Sequence, residues 1–99
     1  MTVAWSLTTT ITGRVDTIID TAEDHDAAVT AVLAAALDVM HAALASQLPQ
    51  APRYELRADG VLVALIQTGT DDAGRPDHAE AASMIQRIEV ARSFSVSPR

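Results

Sequence analysis

Cysteine, lysine and asparagine are absent from this chain of 99 residues, and aromatic residues make up only 3% of it. Without cysteine the chain has neither a disulfide framework nor a thiolate metal site. A sheet that binds RNA stacks bases on aromatic residues of its open face, and the open-face positions expected here carry threonine, alanine, leucine and isoleucine instead. These absences leave an ordinary globular domain, since 48% of the residues are hydrophobic.

All seven basic residues are arginine. Because lysine and asparagine both have A-rich codons, their joint absence indicates a high-GC source, such as an actinobacterium or one of its phages. The missing cysteine agrees with a reducing compartment. We therefore expect a cytoplasmic protein, or a virion-associated one if a phage encodes it.

The excess of acidic side chains, 13 against 7 basic ones, gives a formal charge of −6. A negative surface repels phosphate, so a nucleic-acid binder would need its arginines gathered together. They are instead spread along the chain, at Arg14, Arg53, Arg57, Arg75, Arg87, Arg92 and Arg99. Direct phosphate binding is not expected.

The length fits a single domain over residues 1–99. The first residues lack the basic start and apolar run of a signal peptide. The most apolar stretch, 27–45, is mostly alanine and is interrupted by Thr30, Asp38 and His41. Such a segment falls short of a membrane span, so no membrane partner is expected.

Apolar residues alternate with threonines and other polar residues from Val3 to Val15, which predicts one long strand with a bend near Gly13. Thr17 to Asp20 leads into an acidic stretch, 21–26, rich in N-cap residues. A long helix is predicted from there to Pro49. Its apolar stripe consists of Val29, Val32, Leu33, Ala36, Leu37, Met40, Leu44 and Leu48.

The pair Asp59-Gly60 between two alternating runs predicts a tight hairpin, because the turn needs positive φ at both positions. In the regular register Ala58 pairs with Val61 and Leu56 with Val63, and we expect Val63 and Leu65 to face the helices. Downstream, Asp77 and Glu80 form a capping-box pattern that predicts the start of a second helix. Alternation over 89–97 favours a final strand there.

The predicted order is strand, helix, strand, strand, helix, strand. That is the order of a ferredoxin-like α+β sandwich, in which two helices cover one face of an antiparallel sheet. The resemblance lies in element order alone, and this fold carries many functions.

The uncovered sheet face provides the main functional expectation. In the regular register it carries Thr8 and Thr10 beside an apolar ridge of Leu62, Ala64 and Ile66, where polar residues are usual. The ridge predicts an interface, through the sheet face or a strand edge, with a second copy or with another protein. A rival interpretation is that the C-terminal segment, or the loop after residue 67, folds over this open face.

No constellation of catalytic residues accompanies that face, so a non-enzymatic assembly protein, for example a phage structural or accessory protein, is the favoured interpretation. Neither a cofactor nor a metal is expected. The cluster from Glu23 to Asp26 is interpreted as helix capping. Asp38 and His41 are interpreted as a surface pair.

Two alternatives stay open. One is a small-molecule-binding domain or small dimeric enzyme with a pocket between helices and sheet. Its candidate lining residues are Trp5, Met40, His41 and Tyr54. The other is an acidic decoy of a nucleic-acid-binding protein. That role would require Glu23, Asp24, Asp26 and Asp38 to form one continuous patch.

Overall fold

A computed structural model describes residues 1–95 and shows four antiparallel strands and two helices in the order ββαββα. The elements are β1 (Val3–Ile11), β2 (Arg14–Ala22), α1 (His25–Ala45), β3 (Arg53–Ala58), β4 (Val61–Gln67) and α2 (His78–Ser95). The strands lie in the order β2-β1-β3-β4. The α+β class is confirmed, whereas the ferredoxin-like order is wrong.

The predicted single long strand is two strands joined by a tight turn. Ile11 pairs with Arg14, and between them Gly13 has a φ of +80°, which glycine adopts without steric cost. A two-residue turn reverses which alternate residues share a face. Val15 therefore lies on the face opposite Ile11, although both fit one uninterrupted alternation.

Local capping sets both ends of α1. The Asp24 carboxylate accepts a hydrogen bond from the backbone N–H of Ala27 at 2.8 Å, as the acidic N-cap pattern predicts. At the other end Gln47 has a φ of +52°. The backbone N–H of Gln47 bonds to the Leu44 carbonyl, and that of Leu48 to the Ala43 carbonyl. This is a Schellman motif, and it ends the helix before Pro49.

The hairpin at Asp59-Gly60 is confirmed, with φ values of +54° and +76°. Ala58 pairs with Val61, but Leu56 pairs with Ala64 because a bulge shifts the register between Leu56 and Arg57. An extra residue on one strand moves every later side chain to the other face.

Because of the bulge, the prediction was wrong for two of the interface residues. Ile66 is 5% exposed and lies in the core, and Ala64 is partly buried against the core. Neither is on the open face. Leu65, expected to face the helices, is 49% exposed instead.

The start of α2 agrees with the capping prediction, because the Asp77 carboxylate accepts from the Glu80 backbone N–H at 3.1 Å. The Glu80 carboxylate pairs with Arg87 rather than completing the box. The final strand predicted over 89–97 is wrong as far as Ser95, since α2 continues to that residue. Residues 96 and 97 lie outside the described residues.

Helix α1 packs on one face of β1 and β3 and also contacts β2, and α2 packs beside α1. The ring nitrogen Nε2 of His78 lies 2.8 Å from the Leu48 carbonyl, while Arg92 pairs with Asp26. These contacts make the two helices antiparallel. The core between the layers consists of Trp5, Leu7, Ala28, Val29, Val32, Leu33, Ala36, Met40, Tyr54, Leu56, Ala58, Ile66, Ala81, Ala82 and Ile85.

Candidate interaction surface on strand β2 and the open sheet face

Strand β2 lies at one edge of the sheet and extends beyond the cover of the helices. Eight of its nine residues are exposed, and only Ala22 is half-buried. Three large aliphatic side chains lie in this strand with 63%, 46% and 70% exposure, at Val15, Ile18 and Ile19. Monomeric proteins usually protect such an edge with proline, charged side chains or a short strand. Here the strand is long and contains neither proline nor lysine, and its charged residues are Arg14, Asp16 and Asp20.

The backbone of β2 presents unpaired hydrogen-bonding groups to solvent. The Asp59 N–H bonds to the Ala4 carbonyl at 2.8 Å, so the even-numbered residues of β1 bond toward β3. Its odd-numbered residues bond toward β2, because bonding direction alternates along an antiparallel strand. Their β2 partners are the even-numbered residues. The outward N–H and C=O groups therefore belong to Val15, Thr17, Ile19 and Thr21, and of these the Thr21 N–H already donates to the Asp20 carboxylate at 2.8 Å.

Side chains of β2 divide between the two faces of the sheet. On the open face are Val15, Thr17, Ile19 and Thr21, and the Thr17 hydroxyl lies 3.2 Å from the Thr8 hydroxyl. On the helix side are Arg14, Asp16, Ile18 and Asp20. The Arg14 guanidinium pairs with the Asp16 carboxylate at 3.0 Å, with both side chains exposed.

The remaining open face is polar at its centre and apolar toward β4. Three of the five predicted interface residues lie there: Thr8 is half-buried, Thr10 is exposed and Leu62 is 47% exposed. Between the threonines and Leu62 lies an ion pair of Arg57 and Glu55 at 2.7 Å. No continuous apolar ridge crosses the face, because the bulge withdraws two of its expected members.

Sequence reasoning missed β2 as an element. Its central residues were interpreted as a connection into α1, and the threonine-rich alternation hid the turn. The available signal was Thr12-Gly13, a turn-forming pair between two β-branched runs. Leu65 was missed for a different reason, since no residue type marks the bulge at Val63.

The acidic cluster at the start of α1 is used locally. Asp24 caps the helix, Asp26 pairs with Arg92, and the His25 ring lies 3.7 Å from the Asp59 carboxylate. Within residues 1–95 no group of three or more metal-ligating side chains converges. Asp38 lies 12 residues beyond Asp26 on the same helix, roughly 18 Å along its axis. Asp38 therefore lies apart from Glu23, Asp24 and Asp26, and the four carboxylates named for a decoy do not form one continuous patch.

Of the four residues named for a ligand pocket, three share the core and His41 does not. Trp5 and Met40 lie in the core, whereas His41 is exposed. Tyr54 is 1% exposed and lines a cavity of about 330 Å³ between the β1–β2 hairpin and α1. Burial raises the pKa of Tyr54 above its usual value of 10.0.

Helix α1 is long and apolar enough to cross a membrane by length and composition. Seven of its 21 residues are buried, and it packs against β1, β3 and α2. Core helices of globular proteins share this composition, so the helix alone is weak evidence for a membrane location.

Comparison with known proteins gives no match to a protein family, to a curated protein sequence or to a solved structure. The proposed function therefore depends on the geometry of β2 and of the open sheet face.

Proposed function

We propose that this protein is a non-enzymatic assembly protein that self-associates by pairing β2 with β2 of a second copy. The observation that carries the proposal is the edge of β2, nine residues long, exposed and lined by outward backbone groups. Two such edges, joined antiparallel about a two-fold axis, would form one continuous eight-stranded sheet. The protein would act in the cytoplasm, or in a virion if a phage encodes it.

The charged side chains of β2 favour one register for this pairing. A two-fold axis at Thr17 sets Arg14 opposite Asp20 of the partner subunit on the helix side. The same register sets Val15 opposite Ile19 of the partner subunit on the open face. Both outward backbone groups of Thr17 then meet those of the partner's Thr17, and the Val15 groups likewise find partners.

Neighbouring registers are less favourable. An axis at Ile18 would set Asp16 opposite Asp20 of the partner subunit, and an axis at Asp16 would set that carboxylate against its own copy. Like charges directly opposite destabilise a sheet, whereas favourable cross-strand pairs contribute about 0.2–1 kcal/mol each. The register centred on Thr17 forms two ion pairs and two aliphatic pairs across the two strands.

Disulfide trapping tests this register directly, because the chain contains no cysteine. In Thr17→Cys the two sulfur-bearing residues would face each other with Cα atoms about 5.5 Å apart, within the range of a disulfide. Thr21→Cys is the matched control on the same strand. In the proposed register its two copies lie roughly 27 Å apart along the strand.

Both variants are oxidised at equal concentration, and covalent dimers are measured on non-reducing gels, with circular dichroism as the folding check. We expect rapid dimer formation from Thr17→Cys and slow formation from Thr21→Cys. Equal rates for the two folded variants, or a faster reaction of Thr21→Cys, would refute pairing about Thr17. A wild-type chain that sediments as a monomer at high concentration would refute self-association altogether.

A further inference from the structure

A second cavity lies between the end of α1 and the loop before α2. Its volume is about 410 Å³, within the range of small-molecule sites. Apolar side chains form much of its wall, and one acidic and one basic residue also line it. The residues that the argument uses are Leu44, Leu48, Pro76, Asp71, Arg75 and His78.

The loop that forms one wall is a rigid hairpin. Thr70 forms a β-bridge with Pro76, and the Asp71 N–H bonds to the Arg75 carbonyl at 2.8 Å. The Gly74 N–H bonds back to the Asp71 carbonyl at 3.0 Å, and Gly74 has a φ of +79°. This pairing sets Asp71 directly opposite Arg75, so their side chains start from the same side of the hairpin.

These two opposite charges do not pair with each other. The Asp71 carboxylate is turned back onto its own loop, where Oδ1 accepts from the backbone N–H groups of Ala73 and Arg75 at 2.9 Å each. Within residues 1–95, neither the Asp71 side chain nor the Arg75 guanidinium takes part in an ion pair. An anion and a cation, both exposed to solvent, therefore line the same largely apolar cavity.

The end of α1 forms the other wall of the cavity. The C-terminal end of α1 carries a partial negative charge, which favours a cation nearby. Leu44 is 45% exposed there, so its side chain is accessible to a ligand in the cavity. His78 is 4% exposed, and its Nδ1 is buried without a hydrogen-bond partner within the described residues.

We propose that this cavity binds a small zwitterion with an apolar side chain, namely a free apolar amino acid. Arg75 binds the carboxylate of the ligand, since a guanidinium matches a carboxylate geometrically. The outward Asp71 oxygen and the end of α1 accept the ammonium group. Leu44, Leu48 and Pro76 contact the apolar side chain. This site is independent of the pairing of β2.

Three probes with one apolar body separate the two charge contacts. They are L-phenylalanine, N-acetyl-L-phenylalanine, which lacks the ammonium group, and L-phenylalaninamide, which lacks the carboxylate. Titration is followed through the amide signals of Gln47, Gly74 and Arg75 in ¹H–¹⁵N spectra. We expect L-phenylalanine to bind about tenfold more tightly than either analogue, the usual effect of losing one charged contact.

Two variants remove one charge each and keep the loop. Arg75→Gln should weaken L-phenylalanine and the N-acetyl compound about tenfold, with little effect on the amide. Asp71→Asn retains the oxygen that accepts the two backbone N–H groups. It should weaken L-phenylalanine and the amide while leaving the N-acetyl compound unchanged.

Asp72→Asn, one residue along the same loop, and Arg53→Gln, on β3, are the matched controls and should leave all three affinities unchanged. The proposal is overturned if none of the probes shifts the three amide signals. Equal binding of the three probes, or the same loss in the controls as in the two test variants, would overturn it as well.

Discussion

Leu56 lies opposite Ala64, not opposite Val63, in the β3–β4 hairpin. This displacement by one residue places Ile66 in the core at 5% exposure and Leu65 on the open face at 49%. A regular hairpin with the same turn would reverse these two environments.

Substitution at these two adjacent positions should therefore have unequal effects on stability. Ile66→Ala removes buried methyl groups and should lower the free energy of unfolding by about 2–4 kcal/mol. Leu65→Ala, its matched control, should change it by less than about 1 kcal/mol. Urea denaturation measures both values. A larger loss in Leu65→Ala would show that the regular register, without a bulge, is correct.

The end of α1 offers a stabilising substitution. Gln47 occupies the left-handed position of the Schellman motif with a φ of +52°, where a side chain costs free energy that glycine avoids. Gln47→Gly should raise the free energy of unfolding by about 0.5–1 kcal/mol. Thermal and urea denaturation provide the measurement.

Gln50→Gly, three residues later in the exposed connection, serves as the control for glycine flexibility. It should be neutral or slightly destabilising, because it only increases the entropy of the unfolded chain. The left-handed geometry at Gln47 would be contradicted if Gln47→Gly lost as much stability as Gln50→Gly.

At alkaline pH, the free energy of unfolding should depend on the ionisation of the single tyrosine. Burial raises the pKa of Tyr54 in the folded protein above its unfolded value of 10.0, so the unfolded chain loses this proton first. The stabilising contribution of neutral Tyr54 is complete below pH 10 and is lost as the pH rises through the folded pKa. The chain has no lysine or cysteine, so no other side-chain type whose ordinary pKa lies near that of tyrosine is present.

Urea denaturation at several pH values above 9 should show a falling free energy of unfolding in the wild type. Tyr54→Phe should show a much smaller slope, and phenolate absorbance should report delayed ionisation in the folded wild type. Equal slopes for the two proteins would contradict the burial of this hydroxyl group.

Charge reversal at the edge of β2 should control self-association. In the proposed dimer, Arg14→Asp sets two carboxylates opposite each other and should weaken dimerisation. The double variant Arg14→Asp, Asp20→Arg restores opposite charges and should recover it. Sedimentation velocity measures the monomer–dimer equilibrium of both folded variants.

Arg53→Asp, on β3, makes the same change of charge away from the strand edge and should leave the dimer unchanged. Loss of dimer in this control would attribute the effect to net charge. Failure of the folded double variant to recover dimerisation would contradict the Thr17-centred register.

Local chemistry accounts for the features that sequence predicted correctly. Asp59-Gly60 requires positive φ at two successive positions, Asp24 caps a helix, and Asp77 caps another. Each of these depends on residues only a few positions apart, so the signal is complete in the sequence. The apolar stripe of α1 is also local, because 3.6-residue periodicity places its members on one side.

Features that depend on pairing between distant segments were predicted less well. A continuous alternation from Val3 to Val15 fits one strand or two, and only pairing of β1 with β2 distinguishes them. The prediction for residues 89–95 was wrong for the same reason. These residues fit both the two-residue period of a strand and the 3.6-residue period of a helix, and packing of α2 beside α1, where Arg92 pairs with Asp26, selects the helix.

The sequence by itself determined an acidic α+β chain without cysteine, the caps of both helices and the hairpin at Asp59-Gly60, because short-range backbone chemistry specifies each of them. Tertiary structure alone decided the surfaces. It exposed β2 along its length and buried Ile66 in place of Leu65. Those outcomes depend on strand order and on one bulge, which the pairing between strands fixes.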